Sequence, residues 1–413
     1  MPVPQEELII IGGGPAGLAA IYPTVGLRPL LLEAGPPVKA RVRDNPIHTV
    51  QGVGGAGLYS DGKFSFWPSA SGLWALRPDL IRHAYGWLTK LLRASRIDCP
   101  PLPDTFDAPV SGHVFSEKRY TSIASTYEAR ARLIGRLAEK ASRLQVGVQA
   151  SGLTRVSGAW RVRTDRYGEV YARCVLVASG RLGSLLLRSE LPSTAFHLLR
   201  IEAGVRIQQP VDNFFLRSHP QLDPKYVWSD ETGTTEWRTF CCCRSGRIVE
   251  TRFRGLLSVA GRADGLPTGQ SNVGFNVRIL DAEAAERAWR HLAGTTKVLR
   301  HAVYEDLTHF LHQTESGRPT RLGDVLGPDI SARLAAGLQL LVGHFTWRGL
   351  EGAQLVGPTL EGVGMYPIHD DTLATKQPAL WVAGDVAGTF RGLTAALVSG
   401  NVAGQAIVEA QGS

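Results

Sequence analysis

The first apolar runs of the chain predict two parallel strands joined by a helix. Residues 8–11 are apolar at four consecutive positions, which is typical of a strand buried on both faces of a parallel sheet. The sequence GGGPAG follows at 12–17, then a helical stretch at 18–25 and a second apolar strand at 29–32 that ends in Glu33. This order of strand, glycine turn, helix, strand and acid predicts a dinucleotide-binding unit.

Each glycine of that turn has a predicted physical role. Gly12 lets the chain turn sharply, Gly14 leaves room for a pyrophosphate to approach the backbone, and Gly17 lets the helix pack closely on the strand. The helix N-terminus supplies free N–H groups and the positive end of its dipole to the phosphates. Glu33 can accept from a ribose 2′-hydroxyl and would repel a 2′-phosphate, so the sequence predicts FAD or NAD rather than NADP.

The later parts of the chain predict further strands of the same sheet. Alternating residues predict a three-stranded meander near 145–153, 159–164 and 169–172, which leads into an apolar strand at 174–178. A last apolar strand is predicted at 379–383. It is followed by the pair Gly384-Asp385, a glycine-containing turn and a helix from residue 394 to about 410.

The order of glycine turn, meander and Gly-Asp strand resembles the two-dinucleotide-fold flavoproteins of the glutathione-reductase type. The resemblance favours FAD over NAD. It implies that Asp385 accepts hydrogen bonds from the ribityl hydroxyls of FAD, and that the following helix points its N-terminus at the flavin. A helix N-cap is the alternative role for Asp385.

A glycine-rich loop with the sequence QGVGGAGLYSDGKF occupies residues 51–64. Because it follows the acid-tipped strand, it is predicted to run beneath the pyrophosphate and along the flavin ring. The loop resembles the GGAGxxSDGK loop of a broadly distributed, largely uncharacterised family of FAD-dependent dehydrogenases. Further matches are RTFC at 238–241, SNV at 271–273, RPT at 318–320 and YP at 366–367. The resemblance spans most of the chain and implies an FAD-binding fold and redox chemistry, without a single substrate.

The predicted cofactor-binding residues come from these segments. They are Gly12, Gly14, Pro15, Ala16, Gly17, Glu33, Ala34, Gly54, Gly55, Ala56, Gly57, Ser60, Asp61, Leu153, Ser179, Gly180, Arg181, Gly384, Asp385, Gly392, Leu393 and Thr394. The candidate catalytic residue is Lys63, because a cation beside the flavin would stabilise its anionic reduced form. The alternative is a solvent-exposed loop lysine paired with Asp61.

The predicted fold class is α/β, an FAD-binding Rossmann-type parallel sheet with a β-meander plus an antiparallel-sheet α+β substrate domain, or cap. The FAD-binding domain is expected at 1–97, 120–198 and 341–413, with an insertion at 98–119 and the cap at 199–340. In the cap, short strands at 202–208, 234–243, 246–253 and 274–279 precede helices at 282–312. The cap region contains no second GxGxxG after a strand, so a dedicated NAD(P)H domain is not expected there. Electrons are therefore expected from the substrate, a cofactor in the substrate site or a partner protein.

Composition excludes several other classes of protein. Hydrophobic residues make up 44% and charged residues 20%, which excludes disordered, collagen-like and coiled-coil chains. The net charge of +8 favours anionic cofactors or substrates. Without a basic helix or an aromatic RNA-binding signature, no nucleic-acid partner is predicted. The five cysteines match no CxxC metal pattern, so reduced thiols and no metal are expected.

Neither a long apolar run nor a secretory signal is visible, so a cytoplasmic protein without a membrane partner is predicted.

The favoured function is an FAD-dependent oxidoreductase that transfers a hydride between flavin N5 and a small organic substrate. A flavin monooxygenase is one alternative, although residues 386–388 are Val-Ala-Gly where that class usually has Ala-Ala-His. The other is a flavin-holding cyclase or scaffold without redox turnover. The oligomeric state stays open.

Overall fold

The computed structural model describes residues 5–69, 71–105 and 115–412, and these residues divide into two units. The first unit contains the described residues up to 105, together with 123–197 and 365–412. The second unit contains 115–122 and 198–364.

The described residues form strands throughout both units. The strands are β1 (Glu6–Ile11), β2 (Leu30–Glu33), β3 (Lys63–Ser65), β4 (Ser116–Lys118), β5 (Ser122–Ala124), β6 (Leu144–Val146), β7 (Ala150–Val156), β8 (Ala159–Thr164), β9 (Gly168–Val177), β10 (Phe196–Pro210), β11 (Lys225–Ser229), β12 (Thr235–Cys243), β13 (Arg247–Phe253), β14 (Leu256–Arg262), β15 (Gln270–Ile279), β16 (Val303–Asp306), β17 (Gln354–Pro367) and β18 (Leu380–Val382).

The α-helices vary from single turns to more than twenty residues. They are α1 (Pro15–Thr24), α2 (Gly55–Leu58), α3 (Pro78–Ala94), α4 (Tyr127–Glu139), α5 (Ser184–Arg188), α6 (Ala282–Val298), α7 (Leu307–Glu315), α8 (Arg321–Leu326), α9 (Pro328–Leu350) and α10 (Leu393–Gly412). None of those in the described part of the chain is both long enough and apolar enough to cross a membrane.

The first unit is built on a seven-stranded sheet. Strands β6, β2, β1, β9 and β18 pair in parallel in that order. Strand β8 pairs antiparallel with the first half of β9, and β7 pairs antiparallel with β8. Strand β1 is central, and in its apolar part Leu8, Ile9 and Ile10 are completely buried. The predicted fold class of a parallel sheet carrying a meander is therefore confirmed.

Two strand predictions in the meander were wrong. The single strand expected at 145–153 is two strands, because β6 pairs with β2 in the parallel sheet whereas β7 pairs with β8. Conversely, the two strands expected at 169–172 and 174–178 are one strand, β9. Its first half pairs with β8 and its second half with β18, so it belongs to both parts of the sheet.

The second unit is built on an antiparallel sheet in the order β16, β17, β10, β15, β12, β11 and β4. One face of this sheet is apolar, and helices α6 and α9 pack on it. The indole Nε1 of Trp237 donates to the carbonyl of Arg333 in α9 at 2.7 Å, which fixes the helix on the strand. The α+β character predicted for the cap is thus present in this unit.

Several elements of the second unit escaped sequence analysis. Strands β14 and β17 were not predicted, and β16 interrupts the helices expected at 282–312. Glycine and proline within β17 lower its strand propensity, so its pairing in the sheet decides its conformation. The domain boundary expected at 341 falls inside α9. The structure instead divides the chain between residues 364 and 365, since α9 packs on the second unit's sheet and most of β17 lies in it.

Candidate functional site

The turn between β1 and α1 is held by close backbone contacts. Gly12 has a φ of +110°, a conformation that residues with a side chain rarely adopt. A Cβ at Gly17 would lie 1.9 Å from the carbonyl oxygen of Gly12, so only glycine fits there. Both glycines thus play the structural roles that the sequence predicts for them.

Gly14, by contrast, borders open space. A Cβ at this position would have the Cα of Gly55, 3.9 Å away, as its nearest neighbour, and φ is an ordinary −75°. Helix α1 starts beside this space with no side-chain cap and no acidic residue in its first turn. Its first N–H groups have no partner within the helix, which makes this end suited to an anion.

The glycine-rich loop lies against the same turn. The N–H of Gly54 donates to the carbonyl of Gly13 at 2.8 Å, and the loop continues as the single helical turn α2. A Cβ at Gly57 would lie 2.5 Å from Leu393 and 2.9 Å from Pro15. The start of α1, the glycine-rich loop and the start of α10 therefore meet at one place in the first unit.

The Glu33 carboxylate binds main-chain N–H groups from three segments. Its Oε2 accepts from Gly13 at 2.8 Å, and its Oε1 accepts from Gly35 at 2.8 Å and Gly52 at 2.9 Å. The side chain is buried. Glu33 therefore joins the glycine turn to the glycine-rich loop, a role that sequence analysis missed. The ribose contact stays a prediction, for which Oε2 retains acceptor capacity.

Arg41 is a second organising residue that the sequence did not reveal. Its buried guanidinium donates to the carbonyls of His48, Val53 at 2.8 Å and Gly55 at 2.9 Å, and it lies 4.6 Å from the centre of the Tyr59 ring. Burial lowers the pKa of Arg41 to about 10, so it stays protonated at neutral pH. Carbonyl acceptors carry no side-chain signature, so no pattern in the sequence marks this contact.

The Asp385 carboxylate lies between two arginines. Its Oδ2 accepts from Arg181 at 3.4 Å and its Oδ1 from Arg391 at 3.5 Å. The alternative role of helix N-cap was wrong, because Asp385 lies in the 3-10 turn Gly384–Ala387 and α10 begins only at Leu393. The carboxylate is partly exposed and is free to face a ligand.

Lys63 is buried, so its alternative description as a solvent-exposed loop residue was wrong in part. It begins strand β3, and its ammonium forms an ion pair with Asp61 at 3.1 Å, as that alternative expected. A buried ion pair of this kind holds both side chains in fixed positions. Its relation to a flavin stays a prediction.

Two predicted site residues carry buried hydroxyls without partners. Ser179 Oγ and Thr394 Oγ1 are buried, and neither has a hydrogen-bond partner among the described residues. Such atoms are uncommon in folded proteins and call for an external partner. The two hydroxyls and the open space at Gly14 are therefore compatible with a bound polar cofactor.

The other predicted residues take varied places. Gly384 approaches α1, since its Cβ would lie 2.9 Å from that of Ala16, whereas Gly180 and Gly392 face open space. Ser60 Oγ donates to the carbonyl of Gly57 at 3.2 Å within the loop. Leu153 is fully buried in the core, so its side chain presents no surface to a ligand.

No known family matches the sequence, and no curated protein matches it. The solved structures that this chain matches include CtdE in complex with FAD and a substrate, at 13% identity and a TM-score of 0.40, covering 96% of this chain and 79% of that one. A geranylgeranyl bacteriochlorophyll reductase-like protein from Thermoplasma acidophilum is 15% identical with a TM-score of 0.43, covering 98% and 78%. The Diels-Alderase PyrE3 is 13% identical with a TM-score of 0.40, covering 93% and 60%.

Proposed function

We propose that this chain is an FAD-dependent oxidoreductase that transfers a hydride between flavin N5 and a small organic substrate. The observation that carries the proposal is the meeting of three segments beside the open space at Gly14. These are the start of α1, the glycine-rich loop and the start of α10. The partnerless hydroxyls of Ser179 and Thr394 support it, because a polar cofactor would supply their hydrogen bonds.

The residues of the first unit would divide the binding of FAD among them. The N–H groups at the start of α1 would hold the pyrophosphate, next to Gly14. Glu33 and Arg41 would keep the glycine-rich loop in position through its main chain. Asp385 would accept from the ribityl hydroxyls. Bound FAD supplies the hydride chemistry, so these residues bind and orient rather than react.

The proposal is tested first by the cofactor that the purified protein carries. The protein should be yellow, and heat denaturation should release a compound that co-elutes with FAD in chromatography. Colourless protein that releases NAD would overturn the assignment.

The reaction class is tested by an anaerobic screen of candidate substrates. A small organic compound that bleaches the flavin without oxygen supports hydride transfer, and an external acceptor should then restore the colour. Hydroxylated product formed only with oxygen would show a monooxygenase instead. A flavin that no reductant bleaches would show a protein that holds FAD without redox turnover.

Asp385→Ala should weaken FAD binding by about ten- to a hundredfold, because a hydrogen bond to a charged group contributes about 1.5–3 kcal/mol. The melting temperature of the apoprotein should change little, since the contacts to Arg181 and Arg391 are long and partly exposed. Titration of apoprotein with FAD measures the affinity, with the exposed Asp371→Ala as control. Unchanged affinity would reduce Asp385 to a partner of the two arginines.

Lys63→Met should lower the flavin reduction potential and slow reduction by substrate while FAD is retained. The substitution keeps an unbranched apolar stem but leaves the Asp61 carboxylate without its cation, so the local charge becomes more negative. Dye-equilibration titration measures the potential, and Lys90→Met on the exposed side of α3 is the matched control. Equal potentials in the two variants would remove Lys63 from the proposed site.

A further inference from the structure

The sheet of the second unit has a polar face opposite its helix-covered face. Residues that are direct partners in neighbouring strands point to the same side of a sheet. Glu202, Arg278 and Glu236 form one row across β10, β15 and β12, and Asn276 and Arg238 lie in the next. The basic residues on this side, which we call the basic face, are Lys118, Arg200, Arg206, Lys225, Arg238 and Arg278.

Three arginines of the basic face share one buried carboxylate. Glu202 is completely buried and forms ion pairs with Arg200 at 2.9 Å, Arg278 at 3.1 Å and Arg238 at 3.4 Å. Arg278 also reaches Glu236. Glu202 and Glu236 supply two carboxylates for the three guanidinium groups, so these ion pairs keep a positive balance.

Positive charge also exceeds negative charge over the basic face as a whole. Besides Glu202 and Glu236, the nearby carboxylates of the second unit are Asp223 and the buried Glu361 of β17. Six cations are then set against four carboxylates among the described residues of this unit. An excess of positive charge in partly buried surroundings is costly unless a group loses its proton or an anion binds, so a bound anion would stabilise this face.

The clearest sign of this excess is a pair of lysines directly opposite each other. Lys118 in β4 and Lys225 in β11 are cross-strand partners, an arrangement in which like charges destabilise a sheet. Within the described residues, no carboxylate lies within ion-pair distance of the Lys225 ammonium. Its Nζ lies 4.5 Å from the centre of the Tyr120 ring, and the Tyr120 hydroxyl donates to Asp223.

The pKa values of the two lysines agree with an excess of positive charge on the basic face. The pKa of Lys225 is lowered to about 8, mainly by burial; the charges of Arg238, Arg278 and Lys118 contribute to this lowering, and Asp223 opposes it. Burial likewise lowers the pKa of Lys118. Perturbed groups of this kind are concentrated at functional sites.

We propose that the basic face binds the anionic group of a small-molecule substrate, a carboxylate or a phosphate, with Lys225 and Lys118 as direct contacts. The inference rests on the proposed oxidoreductase function and adds the chemical class of its substrate. Arg238 would contribute a planar guanidinium, which suits either anion. The anion would offset the repulsion between the two lysines.

Calorimetric titration of the FAD-loaded protein tests the proposal. Succinate and inorganic phosphate are the anionic probes, and succinamide is the neutral match, all at constant ionic strength. Lys225→Met should weaken binding of the preferred anion by about ten- to a hundredfold, the effect of losing a charge-assisted hydrogen bond. Lys297→Met, at an exposed position of α6, should leave it unchanged.

Two further measurements separate binding from a structural role. Without anion, Lys225→Met should raise the melting temperature, because it relieves the repulsion from Lys118. With succinate, the wild type should gain stability and the variant should not. Affinity for succinate should also fall as pH rises through about 8, where Lys225 loses its proton, and this dependence should be absent in Lys225→Met.

Binding of succinamide as strong as that of succinate, or equal anion affinity in Lys225→Met and wild type, would overturn the proposal. A variant with a lower melting temperature and unchanged anion affinity would also overturn it, since Lys225 would then only pack on Tyr120. Tighter binding of succinate than of phosphate would identify the anionic group of the substrate as a carboxylate, and the reverse would identify it as a phosphate. Yellow protein that binds neither probe defeats this inference alone, whereas colourless protein that binds succinate defeats the flavin assignment alone.

Discussion

Gly14→Val protein should purify folded and colourless. A Cβ at Gly14 meets nothing closer than 3.9 Å and φ is −75°, so the backbone accepts a side chain there. The branched side chain would instead fill the open space at the start of α1, where the proposed pyrophosphate approaches the backbone. We expect the affinity for FAD to fall by at least about a hundredfold, or about 3 kcal/mol.

Absorbance spectra of the purified variant and titration of its apoprotein with FAD measure this effect. Circular dichroism should give the same melting temperature as wild-type apoprotein. Gly26→Ala, at an exposed glycine whose Cβ would meet nothing within 4 Å, is the control and should bind FAD normally. Normal FAD binding by Gly14→Val would mean that the pyrophosphate lies elsewhere.

Glu33→Ala should destabilise the apoprotein as well as weaken FAD binding. The carboxylate accepts from Gly13, Gly35 and Gly52, and its removal leaves these N–H groups without their acceptor. Because a buried donor without a partner costs about 1–3 kcal/mol, we expect a loss of about 3 kcal/mol in the free energy of unfolding. A ribose contact alone would predict lower FAD affinity and an unchanged apoprotein.

Urea denaturation of the apoprotein distinguishes the two roles of Glu33. Glu33→Gln keeps one oxygen acceptor, so it should fall between wild type and Glu33→Ala. Glu7→Ala removes an exposed carboxylate paired with Arg173, and it should change stability by no more than about 0.5 kcal/mol. If Glu33→Ala unfolds at the wild-type urea concentration, its three hydrogen bonds do not stabilise the unit.

The parts of the fold that were predicted correctly depend on local sequence. The apolar run of β1, the glycine turn and the apolar strand β2 can each be recognised from their own residues. In the structure β1 and β2 pair in parallel, as expected. Gly17 could be assigned because close packing of a helix on a strand excludes every other residue. Strand β9 could not be predicted as one element, because its two halves differ in their hydrophobic pattern. Only the pairing of one half with β8 and of the other with β18 makes them a single strand.

The parts of the site that were missed depend on main-chain partners. The contacts of Glu33 and Arg41 are N–H and carbonyl groups, which every segment of chain possesses and which therefore leave no pattern. The burial of a charged side chain likewise leaves no pattern in the sequence. The lysine at position 63 follows a Ser-Asp-Gly turn that suggests a surface loop, yet pairing with Asp61 allows it to be buried.

Holding the glycine-rich loop through its backbone has a consequence for protein engineering. Because Glu33 and Arg41 bind main-chain atoms of Gly52, Val53 and Gly55, the path of the loop is held at these residues by contacts that need no side chain of the loop. Ala56, the exposed residue of the loop, can therefore be varied in a library while the loop keeps its shape, provided that the glycines are retained. Transplanting the loop into another scaffold, in contrast, requires that this glutamate and this arginine move with it.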